Sequence, residues 1–174
     1  ALAVDEASYG NDHSEVAIDL NALAQLLQDT NRLAEAEPLM RRALAIDEAN
    51  YDRNHPKVAI SLNNLAQLLQ DTNRLAEAEP LMRRALAIDE ASHENEHPKV
   101  AIRLHNLAQL LRATNRFAEA EPLMRRALAV NEICYGNDHP RVATCLNNLA
   151  QLLQDTNRLA EAETLMRRAL AIDE

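Results

Sequence analysis

The chain of 174 residues has no tryptophan, one phenylalanine (Phe117), three tyrosines, two glycines and two cysteines. Aromatic and β-branched residues, on which strands draw, are thin, which argues against a β-rich domain. Two glycines (Gly10 and Gly136) are too few for a Gly-rich phosphate-binding loop. Two cysteines, Cys134 and Cys145, make no disulfide framework; they fit a reducing compartment, and the expected location is cytoplasmic. Basic charge is also short: 18 Lys and Arg against 27 Asp and Glu leave a net charge of −9. Phosphate binding needs clustered Lys and Arg, so neither nucleic acid nor an anionic membrane surface is an expected partner. No apolar run is long enough to span a bilayer. The chain begins without Met and inside a repeat, so it reads as an excised piece whose start says nothing about targeting.

What remains is rich in Ala, Leu, Glu, Gln, Arg and Met, the strongest helix formers, and the expected class is all-α. Internal repetition dominates the pattern. Residues 23–48, LAQLLQDTNRLAEAEPLMRRALAIDE, recur unchanged at 65–90, a period of 42, and return with a few substitutions at 107–132 and 149–174. Residues 1–6 match the end of a preceding unit, and full units follow at 7–48, 49–90, 91–132 and 133–174. The expected organisation is one array over 1–174.

Each unit contains two helical patterns around a short turn. In the second, helix A is predicted to open at His55-Pro56-Lys57, because proline suits the first helical position, where its missing N–H has no partner anyway. Val58, Leu62, Leu65, Ala66 and Leu69 then form one stripe at helical spacing. Asp71-Thr72-Asn73 breaks it, with Asn73 expected in the left-handed conformation just past the helix end. Helix B follows from about Arg74 to about Ala91. Its stripes Leu75, Ala78, Met82, Ala85, Leu86 and Leu81, Ala85, Ile88 need two neighbours, its own helix A and the next one. On the outer face Glu79 and Arg83 stand at the favourable i, i+4 spacing. Pro80 conflicts with helix B, since an interior proline removes a hydrogen bond and clashes with a carbonyl; a local bend or widened turn is expected there.

Chemistry is sparse. His93-Glu94-Asn95-Glu96-His97 matches the H-E-x-x-H zinc-protease pattern. That pattern works only when both histidines share a face of one continuous helix. Here it runs into Pro98, and the equivalent segments lack it. His13, His55, His97 and His139 recur once per unit and read as structural groups at helix starts. Cys134 and Cys145 have His139 between them but no counterparts (Ser92 and Arg103 hold the equivalent places), so they read as buried or incidental thiols. No catalytic residue, metal or cofactor is expected.

Leu65-Ala66 on helix A, Ala78 early in helix B and Ala85-Leu86 late in it, together with N-N-L-A (63–66), A-E-P-L (78–81), R-A-L-x-I (84–88) and H-P-x-V-A (55–59), recur in order. This pattern resembles the tetratricopeptide repeat in its long, kinesin-light-chain-like form, over the whole chain. Departures are Asn in place of the usual turn glycine, Met (Met40, Met82, Met124, Met166) in place of a mid-helix-B aromatic, and the lack of a polar C-terminal capping helix. The near-identity of the units fits recent duplication or consensus design.

The resemblance implies a right-handed α-solenoid, a superhelix of stacked antiparallel helix pairs, that binds a peptide or partner domain in a concave groove lined by helix A. The family's groove positions fall on Asn21, Gln25, Gln28 and Asp29; Asn63, Gln67, Gln70 and Asp71; His105, Gln109, Arg112 and Ala113; and Asn147, Gln151, Gln154 and Asp155. Asn and Gln suit an extended peptide backbone because they both donate and accept. A solvated helix face is the plainer alternative. Arg103, His105 and Arg112 make the third unit's stretch more cationic, which would favour an acidic segment there. The competing function is structural: uncapped ends that expose unit-joining surface and stack end to end, a contact that does not close.

Overall fold

A computed structural model describes residues 2–92 and 97–173. Among these residues every regular element is an α-helix: α1 (Leu2–Tyr9), α2 (Ser14–Asp29), α3 (Leu33–Asn50), α4 (Pro56–Asp71), α5 (Leu75–Ser92), α6 (Pro98–Ala113), α7 (Phe117–Tyr135), α8 (Pro140–Asp155) and α9 (Leu159–Asp173). They fall into two compact units, residues 1–92 with α1–α5 and residues 93–174 with α6–α9.

Each helix A starts on a histidine. His13, His55, His97 and His139 occupy the N-cap with extended backbone, and each Nδ1 accepts the backbone N–H two residues on, at 3.1–3.3 Å. Such a bond satisfies one of the helix's first four orphan donors. Proline follows at N1 in α4, α6 and α8. Before α2, α4 and α8 a tyrosine one turn earlier (Tyr9, Tyr51, Tyr135) stacks on the capping ring, with Tyr51 and His55 centroids 4.4 Å apart. Lys57 then donates to the Tyr51 hydroxyl at 2.7 Å, fixing the entry to α4.

The turns between helices A and B close without glycine. Asn31, Asn73, Asn115 and Asn157 all have φ near +60°. In the second hairpin the Asn73 N–H returns to the Gln70 carbonyl (2.9 Å) and the Arg74 N–H to that of Leu69 (2.7 Å), while the Thr72 hydroxyl donates to Leu68 and Leu69. These paired bonds are the Schellman closure, with asparagine in the left-handed place. The turn is too short for anything but an antiparallel return.

Helix B packs on both sides, as its two stripes require. In the first unit Val58, Ala59, Leu62, Ala85 and Ile88 form one buried cluster from α4 and α5, with Leu44 of α3 packed against it. In the second, Val142, Ala143, Leu146 and Ala169 do the same, with Leu128 of α7 alongside. Each fully buried Leu contributes about 1.5–3 kcal/mol. Arg–Glu pairs tie successive helices B: Arg74 reaches Glu37 (2.8 Å) of the preceding one besides Glu77 (2.7 Å) of its own, and Arg158 reaches Glu121 (2.8 Å) besides Glu161 (2.6 Å).

The widened turn expected at Pro80 is not present: α5 runs unbroken as α-helix from residue 75 to 92. Pro80 is its sixth residue, so the bond it forgoes is to Ala76, in the first turn, where strain is least confined. The fourth hairpin displays what that carbonyl wants, for the Thr164 hydroxyl donates to the equivalent Ala160 carbonyl at 3.0 Å. The H-E-x-x-H segment falls largely at residues 93–96, outside the described residues; its last member, His97, caps α6.

Candidate functional site: the helix A faces

In the first unit, Asn21 of α2 is half-buried and donates to the Ser61 hydroxyl of α4 (3.0 Å), while its own oxygen accepts from Asn64 (3.4 Å). Gln25 is exposed and donates to Asp29; Gln28 donates to the Asp71 carboxylate of the neighbouring helix. Asn63 is buried and donates to Gln67 (3.2 Å), whereas Gln67 and Gln70 are half-buried. The polar row of α2 therefore meets that of α4 directly.

In the second unit, Gln109, Asn147 and His105 are half-buried and Gln151 and Gln154 exposed. Arg112 donates from Nε to Asp155 (2.5 Å) and from Nη1 to Gln151 (3.0 Å), again joining two helices A. Arg103 is buried, with only 8 % of its surface exposed. Its charge is thus withdrawn from solvent and that of Arg112 is answered by Asp155, so neither offers a free cation to a ligand.

Sequence reasoning passed over the buried polar site beneath these rows. In the first unit Ser61 donates to the buried Asp47 carboxylate at 2.5 Å. Burial pushes Asp47 above the usual carboxylate range, against the pull of the Ser61 bond. Two periods later, Asn131 and Cys145 hold those positions, and the Asn131 amide donates to both Cys145 Sγ (3.2 Å) and the Ala127 carbonyl (2.9 Å). Burial raises the Cys145 thiol and lowers the His105 imidazole. His105, Asn131 and Cys145 line an open cavity of about 150 Å³, with Arg141 and Thr144 at its edge. The available signal was a polar residue near the end of helix B, Asp47 or Asn131, followed 14 residues later by a partner, Ser61 or Cys145.

Hairpins built on one stencil, with conserved capping, turn and packing positions and a variable polar row on helix A, define a helical-repeat scaffold. The chain belongs to the tetratricopeptide repeat family, whose model matches residues 1–49, 20–91, 57–133 and 104–174. No curated protein matches it. Among solved structures it is similar to the nearly identical TPR-like repeats of a kinesin light chain-like protein from Podospora anserina, at 24% identity and TM-score 0.83, over 99% of this chain and 82% of that one. It is also similar to BtubC (BKLC) of P. vanneervenii, at 28% identity and TM-score 0.81, over 91% and 63%. Aspartyl phosphate phosphatase F of Bacillus subtilis shares the fold at 16% identity and TM-score 0.78, over 91% and 40%. The fold and family place the chain among protein-interaction scaffolds in general. Among the described residues no helix is long and apolar enough to cross a membrane.

Proposed function

We propose that the helix A faces bind an extended peptide or a partner domain, and that the chain acts by recruitment rather than catalysis. The observation that carries this reading is the recurrence of amide side chains at equivalent positions of α2, α4, α6 and α8: Asn21, Gln25 and Gln28; Gln67 and Gln70; Gln109; Asn147, Gln151 and Gln154, with Asn63 of the same row buried beneath them. Amides meet a peptide backbone with donors and acceptors at once. Arg103 is too deeply buried to touch a ligand, so His105 and Arg112 are the third hairpin's distinctive contributors. Neither Cys134 nor Cys145 is in a disulfide, which supports a reducing, cytoplasmic setting. Selection from a random 12-residue peptide display library, followed by amide NMR mapping of a selected peptide, tests the reading. Shifts concentrated at Gln25, Gln67, Gln109 and Gln151 are expected. Peptides that map to helices B instead, or no peptide enriched over background, would overturn it.

A second reading, end-to-end self-association, rests on a different observation. Leu23 and Leu26 of α2 are 37% and 59% exposed, while Leu65 and Leu68 at the equivalent positions of α4 are each 1% exposed. Leu170 of α9 is likewise 60% exposed. Exposed apolar surface of this kind favours association. Light scattering across a concentration series separates the readings: growth in mass that stops on adding Leu26→Glu supports stacking, and a constant monomer removes it.

A further inference from the structure

Asn21, Ser61 and Asp47 form a closed chain in the first unit: amide to hydroxyl (3.0 Å), hydroxyl to carboxylate (2.5 Å). The positions two periods on carry His105, Cys145 and Asn131, so all three members differ together in a chain whose hairpins are otherwise nearly identical. The pairing of the last two persists, as the 3.2 Å bond from Asn131 to Cys145 shows. His105 takes the position of Asn21 and Cys145 that of Ser61, the pair bonded in the first unit. His105 and Cys145 both line the 150 Å³ cavity.

We propose that Cys145 and His105 form a two-coordinate site for a soft monovalent cation of the Cu(I) or Ag(I) class. Sulfur and imidazole nitrogen are the ligands such ions prefer, and linear coordination asks for only two. Among the described residues no group of three or more His, Cys, Asp or Glu is placed to hold a metal, which removes a closed zinc site, whose geometry needs four ligands. Imidazole ligates through a neutral ring nitrogen, and His105 lines the same cavity as Cys145. Asn131 donates to Sγ, the outer-sphere bond that steadies a metal thiolate; an aspartate, as at residue 47, would repel one. Binding starts from the protonated thiol, the ordinary form of a cysteine near neutral pH. Binding breaks the Sγ–H bond, forms Sγ–M and N–M bonds, and releases one proton to solvent, with no change in oxidation state.

The probe is Ag⁺ in chloride-free buffer, titrated calorimetrically into the full chain carrying Cys134→Ser, with ring resonances of His105 followed by NMR. One ion per chain, one proton released and a shifted His105 ring are expected. His105→Asn, the residue at 21, 63 and 147, is expected to weaken binding by about tenfold or more, and Cys145→Ser, the residue at 61, to abolish it. Because other hairpins already carry these residues at the same positions, both variants are expected to fold. Undiminished affinity in His105→Asn, or a His105 ring unmoved by saturating Ag⁺, would overturn the site in favour of a lone thiol.

Discussion

The two units use the same apolar scaffold and differ in the polar atoms they bury. In the first, Ser61 hands a proton-sharing chain from Asn21 to Asp47. In the second, sulfur replaces oxygen, an amide replaces the carboxylate, and a cavity remains beside His105. Fold and polar site are therefore separable. Leu62 and Leu146 are equally and completely buried, yet the residues that precede them, Ser61 and Cys145, have diverged. Packing tolerates little change in volume, while a paired polar site tolerates exchange provided both partners change together.

The largest expected effect tests the shared half of this comparison. Leu62→Ala and Leu146→Ala should each destabilise by about 2–5 kcal/mol in urea denaturation, and by similar amounts if the two cores are alike. Unequal losses would locate the difference between the units in packing after all. Next comes the polar half. Asn131→Asp sets a carboxylate against a thiol and is expected to destabilise by about 1–3 kcal/mol, and adding Cys145→Ser, which recreates the first unit's pair, should recover most of it. An additive double mutant would mean the pair is not coupled.

Replacing Pro38 or Pro122 by Ala is expected to stabilise by about 1 kcal/mol each, less than for a mid-helix proline because the freed carbonyl lies in the first turn. A lower melting temperature in both would argue that the prolines are needed for packing. The smallest effects are in the pH profile. Arg74, and then Arg41, hold Glu37 below the usual glutamate range. Its contribution to stability is thus present above the ordinary value of 4.5 and lost as pH falls through Glu37's own lower value. Glu37→Gln should flatten that acid limb. Asp47, raised by burial, acts with the opposite sign: its contribution is present below the ordinary aspartate value and lost as pH rises through its raised one. Asp47→Asn should remove that decline, and Asn131 gives the second unit no counterpart.

Much of the fold was legible because repetition turns each local signal into several concordant ones. The capping histidines, the left-handed asparagines and both stripes of helix B stand where spacing puts them. No widened turn forms at Pro80, because a penalty averaged over helix interiors ignores how near Pro80 lies to the helix start. Arg103 was harder still. Residue type suggested a surface cation, but its position is that of Ser61 and Cys145, which face the buried end of a helix B. Only the pairing of two positions 14 residues apart, each uninformative alone, marks that site. The helix A amides were legible as a row, while their bonds across neighbouring helices needed coordinates.

The ion pairs of Arg74 with Glu37 and of Arg158 with Glu121 set a rule for how this chain can change in length. Each arginine meets a glutamate 37 residues earlier, across one helix B to the next. Losing or gaining 42 residues presents the same arginine with an identical glutamate and the same apolar stripes. Any other length strands a charge and turns a stripe to solvent. The molecule is thus built to be counted in whole hairpins, and variation in repeat number is the change it absorbs with least disturbance.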